Sequence, residues 1–288
     1  MSPIELSGAA RLKAPVKLLL WTSEDPASAR IAAALREAGA FRDGGDGHHT
    51  EVDVHHGAVL ARVDGSLLEA DFAERKFEAP GGARFERALF LSKHSASSGQ
   101  TAFTVHPIGN LGREAKLGGA PRTLAPPDPA MATSLLRALW REARPLKVGA
   151  TFEATHHGPR MEIPSLFVEV GSGPRDWEEE GYAAAVARAV VTGYLEQRGE
   201  AEGRVALGLG GGHYHPKHSD RAREEGLPFG HLVPAYALEG ADEATLRSAA
   251  EQSRATTVAV DARTEPAQVE KAATFLESIG LARVTLGP

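Results

Sequence analysis

The sequence predicts an α/β protein, read as three α/β/α layers around a mixed sheet. A wholly apolar run, VKLLLW at Val16–Trp21, is followed within a few residues by a helical pattern, ASARIAAALREA at Ala27–Ala38. Short apolar runs and helix-length amphipathic segments then recur to the end of the chain. The composition, 42% hydrophobic and 24% charged over 288 residues, is that of a globular protein, and one domain spanning 1–288 is expected.

In order along the chain, Phe41–Gly57 is rich in Gly, Asp and His and reads as loop. Strands are expected at Ala58–Val63, Arg87–Ser92 and Thr101–His106. Gly112–Pro129 is a long irregular stretch. A helix follows at Met131–Ala143, with Pro129 just ahead of it. Strands at Val148–Thr155 and Ser165–Val170 flank HHGPRMEIP. Gly181–Gln197 is the clearest amphipathic helix. A short strand, Val205–Leu209, runs into a glycine cluster. Helices at Asp242–Gln252 and Pro266–Ile279 alternate with strands at Thr257–Val260 and Arg283–Leu286.

The chain has no cysteine, so any metal must be held by His, Asp or Glu. A net charge of −6 disfavours a protein that simply coats nucleic acid, while leaving room for a local phosphate site. The first residues carry no signal-type apolar segment, and no apolar run approaches the ~20 residues of a membrane span. A soluble, cytoplasmic monomer without membrane contact is expected. P-loop, GxSxG and HExxH motifs are absent.

Chemistry points instead to histidines at strand ends. Ser92-Lys93-His94-Ser95 closes one strand, and His106 closes the next. Thr155-His156-His157-Gly158-Pro159 and Gly210-Gly211-Gly212-His213-Tyr214-His215 follow two more. Ligands collect at strand ends in open α/β sheets, so His94, His106, His156, His157 and His213 are expected to converge as metal ligands and general bases. In an ideal strand only one of His156 and His157 faces the site; a bend at Gly158-Pro159 brings in both. Glu169, in the apolar run SLFVEVGS, is either a buried ligand or a solvent-facing group on an edge strand. Glu153 reads as alternation toward solvent. His48, His49, His55 and His56 read as local loop groups, and His218 and His231 lean the same way.

Four blocks in order carry a family resemblance. LFLSKHSASSGQTAFTVHPIGN, EAKLGGAPRTLAPPDPAM, EATHHGPRMEIPSLFVEVGS and LGLGGGHYHPKHSD resemble the archaeal- and plant-type D-aminoacyl-tRNA deacylases, over Val16 to at least Leu238. The family's HxSxxSG stretch falls on His94, Ser95 and Ser98-Gly99, and TVHxxGN on Thr104–His106 with Gly109-Asn110. THHGP falls on Thr155–Pro159 and GGGHY on Gly210–Tyr214. The sequence departs from the pattern at His215 and in a longer polar loop around His48–His56.

The resemblance implies a phosphorylase/hydrolase-like (peptidyl-tRNA-hydrolase-like) fold and a zinc hydrolase of translation quality control. Its partner would be the tRNA acceptor end carrying a D-amino acid, and the bond cleaved the ester between them. Zinc held by the histidines and Glu169 would activate water and polarise the carbonyl. Lys93, Ser95, Lys116, Gly158, Tyr214 and the backbone of Gly210, Gly211 and Gly212 are the substrate-binding candidates, with Arg160 beside them. Two other readings stay open. One is a different metallohydrolase with an HxH centre at His213, His215, His218 and Asp220. The other is a non-catalytic RNA-end-binding protein.

Overall fold

The computed structural model describes residues 16–43, 50–53, 55–77, 79, 82–96, 99–197, 203–263 and 267–287. It begins with β1 (Val16–Trp21), buried along nearly its whole length, as a central parallel strand requires. Helix α1 (Pro26–Glu37) starts where Asp25 accepts the Ser28 N–H and Pro26 fills the first turn. The stretch expected as loop contains β2 (Arg42–Asp43) and β3 (Thr50–Asp53). Pairing with β4 (Ala58–Arg62), not residue preference, makes β3 a strand.

Then come β5 (Phe85–Lys93) and β6 (Ala102–Pro107), and a separate ribbon of β7 (Gly109–Asn110) with β8 (Thr123–Leu124). Helix α2 (Pro129–Leu146) is capped by Asp128. It is followed by β9 (Gly149–Phe152), β10 (Ser165–Gly171) and the short α3 (Pro174–Trp177). The helix expected to Gln197 ends sooner: α4 (Glu180–Val190) passes into a π-helical turn at Val191–Leu195. There Gly193 packs on α2 so closely that a Cβ would sit 2.7 Å from the Ala138 methyl. Lys17 Nζ takes the freed carbonyls of Tyr194 and Leu195 at 3.0 and 2.6 Å.

The last third alternates β11 (Ala206–Leu209), α5 (Pro216–Glu225), β12 (Phe229–Val233), α6 (Glu243–Gln252), β13 (Thr257–Asp261), α7 (Ala267–Ser278) and β14 (Ala282–Leu286). Helix α5 and strand β12 are unmarked in the sequence reading. Pro216 opens this helix in its first turn.

The strands form two large sheets. The first is mixed and eight-stranded, ordered β2-β3-β4-β1-β5-β10-β6-β9; the second is all parallel, ordered β12-β11-β13-β14. The expected α/β architecture with a mixed sheet is found. The three-layer arrangement is clearest at the parallel sheet: Ala206 and Ala259 face Ala222 of α5, while Leu207, Val258 and Val260 share a cluster with Leu246 of α6 and Leu276 of α7.

The faces of the mixed sheet differ, and the difference positions the site. Leu89, Leu91, Phe103, Val105, Leu166 and Val168 point to α1, α2 and α4. On the other face, Phe90 and Phe167 stack at 4.7 Å beneath irregular segments bearing Leu67, Ile108 and Met161. Each strand then continues that face with polar residues two positions on: Ser92 and His94 after Phe90, Glu169 after Phe167. Phe167 pairs with His106 across the antiparallel β10–β6 ladder, so His106 shares the row. Thr104 pairs with Thr151 of β9, so residue 153 shares it too.

Candidate metal-binding active site

The polar row closes into a cluster because the chain after β9 is clamped between the sheets. Ala154 N–H donates to His213 O at 2.8 Å, Thr155 N–H to Leu232 O at 2.8 Å, and His215 N–H to Phe152 O at 2.9 Å. All four predicted strand ends converge, with His156 and His157 on the clamped segment. His157 has φ 44°, and this turn lets both adjacent rings enter. His156 lies 4.2 Å from His106, 4.2 Å from His157 and 4.8 Å from His213, ring centroid to centroid.

Glu153 corrects the sequence reading most. It faces no solvent: it is 0% exposed and sits at the centre of the cluster. Its Oε1 is 3.0 Å from His94 Nδ1, and its Oε2 is 2.9 Å from His213 Nε2 and 3.7 Å from His156 Nε2. Neither carboxylate oxygen has an aligned hydrogen bond despite these distances. Alternation along an isolated strand suggested a wet face; a second layer covering that face removes it. Glu169 is the buried ligand candidate, not an edge residue, since β10 lies between β5 and β6. It reaches His94 Nδ1 at 3.2 Å and His106 Nε2 at 3.7 Å.

Backbone carbonyls set which nitrogen each imidazole offers. His106 Nδ1 meets Pro107 O at 3.0 Å, His156 Nδ1 meets Ala154 O at 2.8 Å, and His157 Nδ1 meets Gly158 O at 2.7 Å. A carbonyl only accepts, so each Nδ1 carries the proton and Nε2 is left for the cluster. Metal-binding histidines are oriented in this way. His106 also stacks on Phe167, 5.1 Å away and nearly parallel. His94 is held from the far side by the Tyr214 hydroxyl, 2.7 Å from Nε2.

Charge balance follows from burial. Burial would lower His94, but Glu153 and Glu169 override it and push it up to about 10. Burial and the charge of His106 hold His156 well below its ordinary value and bring His157 to about 4. Burial would raise Glu153, yet the adjoining His213 and His94 hold it well below the carboxylate range. Two buried carboxylates therefore demand positive charge, from protons or from a cation. Three groupings bring donor atoms within 4.8 Å of one another: His106–His156–His157, His94–Glu153–His213 and His106–Glu153–Glu169. The residues fit a metal ion.

Two clefts open beside the cluster and share His156 and His157. One, of about 450 Å³, is lined by Glu24, Asp25, Leu67, Leu68, Lys93, Ser95 and Leu117 among others. The second, of about 830 Å³, lies between the β7–β8 ribbon and the turn at Ala235–Ala237. Glu24, Asp25, Leu68 and Leu117 carried no recognisable motif; only the fold joins them.

Other expected contacts fall elsewhere. Lys116 is paired with Glu114 at 2.7 Å on the surface, and Arg160 is engaged by Asp71. Tyr214 acts through His94. Gly158 is structural: its N–H goes to Leu117 O, and a Cβ there would lie 2.3 Å from Gly119 N. Gly210 N–H is committed to Val233 O, so the glycine run keeps fewer donors than expected; Gly212 is open to solvent. The HxH centre does not form. His213 faces the cluster, His215 turns to His218 at 3.2 Å, and Asp220 pairs with Arg223. His218 and His231 are buried, contrary to the loop reading. His55 is exposed and His56 bonds locally to Asp53, as expected. His48, His49 and Ser98 lie outside the described residues. No helix among those residues is long and apolar enough to cross a membrane.

Comparison with known proteins gives this geometry a family. A D-aminoacyl-tRNA deacylase family profile matches residues 82–284. The D-aminoacyl-tRNA deacylase of Methanosarcina acetivorans is 37% identical over 237 residues, 78% of either chain. That of Ignicoccus hospitalis is 38% identical over 205 residues, 68% of this chain and 82% of its own. A crystal structure described as a conserved protein of unknown function superposes with a TM-score of 0.84 at 28% identity, covering 95% of both chains. The profile match spans well over half of the chain and includes every histidine of the cluster, so the chain belongs to the D-aminoacyl-tRNA deacylase family.

Proposed function

We propose that the protein hydrolyses the ester joining a D-amino acid to the 3′ end of tRNA, releasing both, and that it does so with a bound zinc ion in the cytoplasm. Family membership supports the reaction. The observation that carries the chemistry is the donor set: three imidazoles tied through Nδ1 to backbone carbonyls, facing two buried carboxylates. Nitrogen and oxygen donors without a thiol suit zinc.

His106, His156 and His157, with Glu153, Glu169, His94 and His213 adjoining, would hold the ion. Zinc held there would supply a water acidified toward pKa 7 and a Lewis acid for the ester carbonyl. The chain's own residues do the rest. His213 has the most exposed side chain of the cluster, and it lines the smaller cleft, where it can take a proton from the attacking water. Glu153, 2.9 Å away, stabilises the charge the ring gains. Tyr214 fixes His94, and Lys93 places a cation beside the entering substrate.

Deacylation of matched D- and L-aminoacyl-tRNA, with and without a chelator, tests both parts. D-selective release that disappears with chelator and returns with zinc is expected. Release insensitive to chelation removes the metal; no release removes the reaction.

A further inference from the structure

The ester has two arms, an aminoacyl group and a nucleoside, which leave the scissile carbonyl in different directions. The cluster likewise has two clefts, with His156 and His157 forming a shared wall. Building on the deacylase reading above, we propose that the larger cleft binds the 3′-terminal adenosine, its base stacked on Tyr236, and that the smaller cleft binds the aminoacyl group.

The walls differ in chemistry. The smaller cleft has apolar surface from Leu67, Leu68 and Leu117, suited to an amino-acid side chain. It also has Glu24, an exposed carboxylate suited to the α-ammonium. The neighbouring Asp25 is less free, since its oxygens already accept from Ser28 N, Lys93 N and the Ser92 hydroxyl. The larger cleft offers the opposite set. Tyr236 is 60% exposed, unusual for an aromatic ring in this molecule. It is presented by the 3-10 turn Ala235–Ala237, anchored by Ala235 N–H to Gly211 O at 3.1 Å. A ring held ready on an anchored turn loses little freedom when a base stacks on it.

Two further groups complete the subsite. Asn110 donates its amide nitrogen to Gly118 O at 2.9 Å, which leaves its oxygen to accept from an exocyclic amine. Arg113 lines the same cleft and is exposed, a cation for the phosphate that precedes the terminal nucleoside. The volumes, about 830 and 450 Å³, give the nucleoside the larger space.

The test uses the intact protein and 3′-(D-alanyl)amino-3′-deoxyadenosine, whose amide resists hydrolysis, with D-alanine amide as the probe lacking a nucleoside. Calorimetric titration should show Tyr236→Ala weakening the adenosine probe by about five- to 150-fold, the range of a lost base–aromatic stack, without changing the response to D-alanine amide. Tyr236→Trp should restore binding. In deacylation of D-aminoacyl-tRNA, Tyr236→Ala should raise KM and leave kcat within about twofold. Glu24→Gln should weaken both probes. Equal affinity of Tyr236→Ala and wild type for the adenosine probe overturns the assignment, and continued D-selective deacylation would then leave the parent function standing. A wild-type protein that neither binds the probe nor deacylates tRNA overturns both.

Discussion

Two groups of histidines, one partly open to solvent and one fully buried, lie close together in this chain, and their surroundings differ. His94, His106, His156, His157 and His213 converge on Glu153 and Glu169 and border open clefts. His215, His218 and His231 lie deeper around the parallel sheet, and their hydrogen-bond partners are neutral: each other, Ala259 O and the Thr155 hydroxyl. Burial alone therefore does not mark a site. The first group combines fixed tautomers with buried carboxylates, an arrangement that holds charge. The second consists of neutral rings filling polar corners, an arrangement that excludes it.

The largest expected effects fall on the first group. Glu153→Gln and His106→Ala should each lower D-aminoacyl-tRNA deacylation at least about 100-fold, with little change in circular dichroism. His218→Gln should leave the rate within about threefold. Comparable losses from all three would erase the distinction. Metal should separate the groups as well. A ligand at 100 times its Kd stabilises by about 2.7 kcal/mol, roughly 5–10 °C in Tm for a chain of this size. Zinc should raise Tm for wild type and His218→Gln and fail to do so for Glu153→Gln. A zinc shift that survives Glu153→Gln would leave the ion on donors other than Glu153, such as His106, His156 and His157.

A smaller effect tests the edge of the first group. Tyr214 touches the cluster only through His94, 2.7 Å from its hydroxyl. Groups that orient a ligand typically contribute 10–100-fold. Tyr214→Phe should therefore cost about tenfold in kcat, with KM held. A rise in KM instead would make the hydroxyl a substrate contact, the role the sequence suggests.

The sequence made the convergence of the histidines legible because each sits at a strand end, and sheet topology brings strand ends together. His94, His106 and His213 needed no more than that. Glu153 was not legible. Its alternation is that of a half-exposed strand, and only the segment bearing His213, laid across it and bonded through Ala154 and His215, buries it. The same holds for β12: Phe229–Val233 carries a glycine and a histidine and becomes a strand by pairing with β11. Helix α5 is polar along most of its length and was hidden for that reason. Its Pro216 and Gly226 are nonetheless the start and stop signals of a helix.

The smallest expected effect on catalysis, and a clear one on stability, belongs to His231. Burial holds its ring at about 3, against 6.5 for a free imidazole. The sign follows from which state takes the proton. Below pH 6.5 the unfolded chain binds a proton that the folded chain refuses until about pH 3. Folding stability is thus fully present above 6.5 and is lost as pH falls toward 3, at up to about 1.4 kcal/mol per pH unit for this one group. His218, brought to about 4 by burial, acts in the same direction, with His215, Asp261 and Arg263 around it. His231→Gln removes one of these titrations. Its urea stability at pH 7 should fall by about 1–3 kcal/mol, because the Thr155 hydroxyl loses its ring partner. Between pH 6 and 4.5 its stability should decline less steeply than that of wild type, by up to about 1.4 kcal/mol per pH unit. Deacylation at pH 7 should stay within about threefold of wild type. Parallel pH profiles for the two proteins would mean that His231 is protonated in the fold. That would move it out of the neutral group and toward the charged cluster beside it.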